Sequence, residues 1–128
     1  MLSTRRTHTT LPVSDMDRAR AFYEGTLGFV PMRVQSSAVM YRAGEGSVFA
    51  LTRSSGKPSG THTQMGITVD DIESVVGDLK KRGVVFEEYD TPGLKTVNSI
   101  AMAGPNRAAW FFDPEGNMIG IVQFAPEE

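Results

Sequence analysis

Few residues in this chain have side chains whose ordinary chemistry moves a proton near neutral pH. It has two histidines, His8 and His62, and no cysteine. An imidazole titrates near neutrality and binds metals readily, so His8 is a candidate ligand or general base. The lack of cysteine removes thiolate metal sites, disulfides and a cysteine nucleophile together. No glycine-rich phosphate loop occurs, and Ser, His and Asp fall in no hydrolase motif. Gly44 and Gly46 have no helix after them and make no nucleotide fingerprint. His62 follows a run of small residues and reads as a solvated loop residue. Gln64 could exchange hydrogen bonds with a ligand carbonyl or hydroxyl; its bland role is a polar side chain satisfied by Thr68 or the backbone.

The elements that must position these residues come as a repeat. Val13-Ser14-Asp15-Met16 is echoed by Val69-Asp70-Asp71-Ile72, each joining a strand-like run to a helix-like run. Residues 7–13 and 63–69 alternate with period two. Leu11 and Val13 share one face, as do Met65, Ile67 and Val69; His8 and Thr10, then Gln64, Gly66 and Thr68, take the opposite faces. Ser14 or Asp15 can cap the first helix, Ser14 and Asp17 have capping-box spacing, and Gly28 stops it. Ile72, Val75, Val76 and Leu79 form the apolar stripe of the second helix, with acids at its start and Lys80, Lys81 and Arg82 at its end.

Strands are then predicted over 30–34, 38–42 and 47–53, and again over 84–88, 99–103, 108–112 and 118–124. A polar, turn-rich run at 90–98 reads as a surface loop or a lid, with Lys95 available to an anion. Asp113-Pro114-Glu115-Gly116-Asn117 reads as a structural turn. The expected fold class is α+β, a single domain over 1–128 made of module 1 (about 5–54), a linker (55–61) and module 2 (about 62–125).

With 13 basic and 15 acidic residues the net charge is -2, which argues against nucleic acid or an anionic membrane as partner. No apolar run follows the first six residues and none is long enough to span a bilayer, so a cytoplasmic protein without signal peptide is expected.

Leu11-Pro12-Val13-Ser14-Asp15-Met16-Asp17-Arg18-Ala19, then Phe22-Tyr23 and Leu27-Gly28-Phe29, resembles the opening of vicinal-oxygen-chelate proteins, the superfamily of glyoxalases, bleomycin-resistance proteins and dioxygenases. Val69-Asp70-Asp71-Ile72 resembles the start of their second module, and Asp113 to Ile119 their closing hairpin. The resemblance implies two βαβββ modules forming curved mixed sheets around a cleft. It also implies a divalent metal there, held by residues of the first and last strands of each module. His8 and Gln64 match the first-strand positions, whereas Ala50 and Gly120 stand at the last-strand positions, Gly120 where glutamate is usual.

One imidazole and one neutral amide fall short of the three imidazole or carboxylate ligands that such a centre wants. Glu87 and Glu88 are the carboxylates that could replace them. The expectation is therefore no cofactor, and a cleft that binds a small organic molecule through His8, Gln64 and Trp110, with Ala50 and Gly120 leaving room. Trp110 and Phe112 share a strand face opposite Phe111, and the family pattern turns Trp110 to the cleft. Met32, Met40 and Met102 could line such a site or simply fill the core. The family also implies a homodimer. The alternatives are a metal-dependent enzyme (lactoylglutathione-lyase-like, a thiol transferase or a dioxygenase) and an accessory domain whose cleft is filled by its own side chains.

Overall fold

Period-two alternation before the first helix becomes β1 (Thr9–Val13), with Leu11 and Val13 buried and Thr10 exposed. The computed structural model describes residues 1–126, and the chain divides between Pro58 and Ser59, within the small-residue linker. In the first unit Asp15, rather than Ser14, caps α1 (Met16–Arg20), its carboxylate accepting the Arg18 backbone N–H at 3.0 Å. The helix widens into a π-helical turn over Ala21–Thr26, and Gly28, at φ +84°, ends it. Three strands follow, β2 (Val30–Val34), β3 (Ala38–Arg42) and β4 (Val48–Arg53), in the order β1-β4-β3-β2. The β1–β4 pair is parallel and the other pairs antiparallel.

One sheet face carries Leu11, Val39, Tyr41, Phe49 and Leu51, all buried, and Met16, Ala19 and Tyr23 complete this core. Tyr41 and Phe49 stack at 5.1 Å, and Phe29 meets Phe49 edge-on at 4.9 Å. The Tyr41 hydroxyl, carried into this core, donates to Glu24 Oε2 at 2.7 Å, and Arg20 Nε donates to the same oxygen at 2.7 Å. The Arg20 guanidinium holds the Glu24 carboxyl below the usual carboxylate range, helped by Tyr41. Burial, and then the bond to Glu24, push the Tyr41 phenol up. A depressed carboxyl stabilises the fold above its unfolded pKa, and that contribution is lost as pH falls through the folded value. Between pH 7 and pH 3 the parent chain should lose about 1 kcal/mol more stability than Glu24→Gln, measured by urea unfolding. Equal losses would show that this carboxylate does nothing for the fold.

The second unit repeats the plan. β5 (Met65–Thr68) leads to Asp71, whose carboxylate accepts the Ser74 N–H at 3.2 Å and starts α2 (Ile72–Lys81). Ile72, Val76 and Leu79 are buried, and Gly83, at φ +95°, closes the helix behind its basic last turn. Then come β6 (Asp90–Thr91), β7 (Leu94–Val97), β8 (Ile100–Ala103), β9 (Asn106–Phe112) and β10 (Met118–Gln123), in the order β5-β10-β9-β8-β7-β6. β5-β10-β9-β8 thus matches β1-β4-β3-β2, and each unit holds a βαβββ motif in a mixed sheet.

Two expectations fail here. Residues 84–88 make no strand, only the single bridge Phe86↔Phe111. Their alternation is real, with Val84 and Phe86 buried and Val85 exposed. However, β8 already pairs with β9 over Asn106–Ala108, so only the last residues of that edge are left. The run at 90–98 is a hairpin rather than a lid or plain loop. Pro92 and Gly93 (φ +86°) turn β6 into β7, in the Pro-Gly pattern of a type II turn. Asn98 and Ser99, both at positive φ, join β7 to β8 as a two-residue hairpin turn. The Glu88 carboxylate clamps that turn, accepting the Ser99 hydroxyl at 2.5 Å and the Thr96 hydroxyl at 2.7 Å. Those bonds, Ser99 first, hold its carboxyl below the usual range.

Candidate functional site

Each sheet has a face turned away from its buried core, and the ladder fixes who shares it. In the second unit Gly120 lies opposite both Gly66 and Trp110, while Met118 lies opposite Phe112 and Val122 opposite Ala108. Directly paired residues point the same way, so Trp110, Phe112, Met118 and Gly120 share one face, and Phe111, Ile119 and Ile121 lie buried on the other. In the first unit Ala50 lies opposite Thr10 and Met40, the same arrangement one module earlier. Ala50 is buried, Met40 half-buried and Thr10 exposed. His8 sits two residues before Thr10, ahead of β1, and is exposed. His62 is a loop residue, hydrogen-bonded through Nδ1 to Ser59 Oγ at 2.7 Å.

The half-buried Trp110 is the best-held side chain of this face. Its Nε1–H donates to Thr63 Oγ1 at 3.0 Å, and Tyr89 meets its ring edge-on at 5.7 Å. Gly120 permits the first of these contacts. A Cβ built there would stand 3.1 Å from the Thr63 methyl and 3.5 Å from the indole Cδ1. The space above Gly120 is taken by Thr63, whose position the sequence pattern did not single out. Residues 63–69 count as an alternating run, but β5 begins only at Met65, and the parity of residue 63 follows the entering chain instead.

Gln64 is held by a relay that starts in the closing turn. Asp113 Oδ1 accepts the backbone N–H groups of Glu115 and Asn117, each at 2.9 Å. Asp113 Oδ2 accepts Asn117 Nδ2 at 2.8 Å, and Asn117 Oδ1 accepts Gln64 Nε2 at 3.0 Å. A carboxylate offers no proton, so the Asn117 amide must face it with its nitrogen. Its oxygen is then left for Gln64, which must present its own nitrogen. The polarity of the chain is thus set by Asp113, and it ends on Gln64 Oε1. That oxygen is buried and, among the described residues, has no hydrogen-bond partner. A buried acceptor without a donor is costly, and a ligand or water that donates to it would relieve the cost.

The residues present do not fit the metal that the family resemblance implies. Ala50 and Gly120 carry no donor atom, and the Thr63 methyl fills the start of any side chain at 120. Gln64 offers a neutral amide oxygen only, its nitrogen being taken. Glu88 is occupied by the hairpin turn. Within neither unit do three His, Asp or Glu side chains of the described residues converge.

The family model for the Glyoxalase/Bleomycin resistance protein/Dioxygenase superfamily matches residues 5–121. No curated protein matches the chain. Among solved structures, TnmS3, an antibiotic binding protein from Streptomyces sp. CB03234, is 25% identical, with a TM-score of 0.70 over 98% of this chain and 99% of its own. A glyoxalase/bleomycin resistance protein from the same Streptomyces is 26% identical, with a TM-score of 0.64 over 91% of this chain and 98% of its own. A glyoxalase/bleomycin resistance protein/dioxygenase from Alicyclobacillus acidocaldarius, at 20% identity, covers 96% of this chain and 93% of its own with a TM-score of 0.72 and shares the fold. No helix among the described residues is long and apolar enough to cross a membrane.

Proposed function

The chain belongs to the Glyoxalase/Bleomycin resistance protein/Dioxygenase superfamily, and from that premise we propose that it binds a small organic molecule without a metal. The observation that carries this reading is the buried, unpartnered Gln64 Oε1 in a unit whose open sheet face holds the fixed indole of Trp110. A flat apolar surface together with an oriented polar atom is the usual make-up of a small-molecule site. The ligand is an aromatic or otherwise flat molecule that lies against Trp110 and donates one hydrogen bond to Gln64 Oε1. Gly120 belongs to the same proposal as part of the sheet beneath Trp110, and His8 and Ala50 are proposed as ligand contacts on the first unit's own open face. The antibiotic-binding relative, at 25% identity, supports the binding of a small molecule. Pairing of two chains is part of the reading, supported by the exposed apolar side chains Val30 and Val34 on the edge strand β2.

Trp110 is the only tryptophan, so its emission reports the site directly. Titration of untagged protein with bleomycin and with an anthracycline should give saturable heat by calorimetry, with a change in Trp110 emission. Both should persist in excess chelator, and Trp110→Ala should weaken the tighter of the two by at least about 30-fold, as expected for an aromatic anchor. Sedimentation of the same samples should show two chains per particle. One equivalent of tightly held metal, lost with His8→Ala, would overturn the metal-free reading and point to an enzyme. No saturable binding of either probe, with metal below stoichiometry, would leave the Trp110 face without this function.

A further inference from the structure

α2 packs on β9 and β10 and leaves the β7–β8 hairpin uncovered on the same side of the sheet. Register puts Met102 opposite Arg107, and Val97 opposite Ile100, all on the face that carries α2. This is the reverse of the face that holds Trp110 and Gly120. Between helix and hairpin lies a groove of about 650 Å³. Its walls are Val76 and Gly77 from α2, and Val97, Ile100 and Met102 from the hairpin. Val97 is 64% exposed and Met102 60%, so the apolar strip is open to solvent. The Glu88 clamp on the Asn98-Ser99 turn fixes the far wall.

Two further features point to an occupant. Gly77 sits inside a ten-residue helix, where glycine is unfavourable, yet a Cβ there would meet nothing within 4 Å. Close packing therefore does not call for it, and its effect is to keep the groove open. The charge is also one-sided. At one end Arg107 is neutralised by Glu73 at 2.8 Å, whereas Lys80 and Lys95 make no salt bridge within 4.0 Å among the described residues. Glu88 acts on Lys80 from farther off, and Asp90 stands across the hairpin from Lys95. In a chain of net charge -2, this groove presents two ammonium groups without a direct salt bridge beside an apolar strip.

We propose that the groove binds an amphipathic carboxylate, with its aliphatic body along Val97, Ile100 and Met102 and its head group between Lys80 and Lys95. The site is independent of the Trp110 face and stands whether or not that face binds a ligand. The test is an amide-resolved NMR titration of the full chain with dodecanoate below its micellar concentration. Dodecyltrimethylammonium serves as the same tail with the opposite charge, acetate as the head alone, and anionic lipid vesicles as a surface.

Dodecanoate should saturate with a dissociation constant on the order of tens of micromolar, shifting the Gly77, Val97 and Met102 amides. The cation and acetate should not saturate, and vesicles should not sediment the protein. Gly77→Leu, which fills the groove, should weaken dodecanoate by about tenfold or more without lowering the melting temperature. The exposed double variant Lys80→Ala/Lys95→Ala should weaken it similarly, and serves if the leucine variant misfolds. Undiminished binding in both variants, equal binding of the cation, tight vesicle binding or no saturation would each overturn the assignment.

Discussion

Asp113→Ala is expected to cost roughly 3 kcal/mol of stability, the largest loss for any single truncation outside the apolar core. The residue is 4% exposed and Asn117 is 0% exposed, so water cannot replace the missing carboxylate. Alanine would leave two backbone N–H groups and one side-chain amide N–H without their acceptor, at about 1 kcal/mol or more each. Asp113→Asn separates shape from polarity. Its Oδ1 can still accept both backbone groups, but its nitrogen now faces the Asn117 nitrogen. The least costly response is for Asn117 to turn over, and then Gln64, so that each nitrogen again meets an oxygen. The relay would then end on a free Gln64 Nε2 instead of a free Oε1. The asparagine variant should therefore lose less stability than the alanine variant, by at least about 1 kcal/mol in urea unfolding. It should also favour ligands that present an acceptor where the parent favours a donor. An alanine variant losing under ~1 kcal/mol would show that the turn stands without its carboxylate.

The βαβββ repeat was legible because its punctuation is local. Asp15 and Asp71 cap their helices through their own side chains, and Gly28 and Gly83 end them at positive φ, so the signals act where they are written. The opposed faces of Trp110 and Phe111 were legible for the same reason, since alternation within a strand needs no partner. What depended on partners was not. The apolar alternation of residues 84–88 predicts a strand, but a strand also needs a free edge, and β8 had taken most of β9. The hairpin of β6 and β7 was hidden by polar residues at its turns, although Pro92-Gly93 carried the signal. Asn117 reads as a turn residue and is one, yet its side chain also fixes Gln64, fifty-three positions away in sequence. Such long-range coupling leaves no trace in spacing. Gly120 reads in the sequence as room for a ligand, and the Thr63 methyl, 3.1 Å from where its Cβ would stand, gives it a packing role that the spacing did not show.

That account yields a sharp expectation at Gly120. Gly120→Ala should destabilise the chain by about 1 kcal/mol, although replacing glycine in a strand usually helps. The added methyl would stand 3.1 Å from Thr63 Cγ2, so Thr63 must move, and its bond to Trp110 Nε1 is the contact at risk. The indole would then exchange a fixed protein acceptor for water, and its emission should shift to longer wavelength. If the cost comes from this contact alone, removing Thr63 removes it. In a Thr63→Ala background the same Gly120→Ala change should be neutral or stabilising by a few tenths of a kcal/mol, because alanine gives up less backbone freedom than glycine. The two changes should thus show a coupling of about 1 kcal/mol in a double-mutant cycle. Additive effects would place the constraint at Gly120 somewhere other than Thr63. A site partly open to solvent can be filled by its own threonine, and the glycine beneath then serves the tryptophan before it serves any ligand.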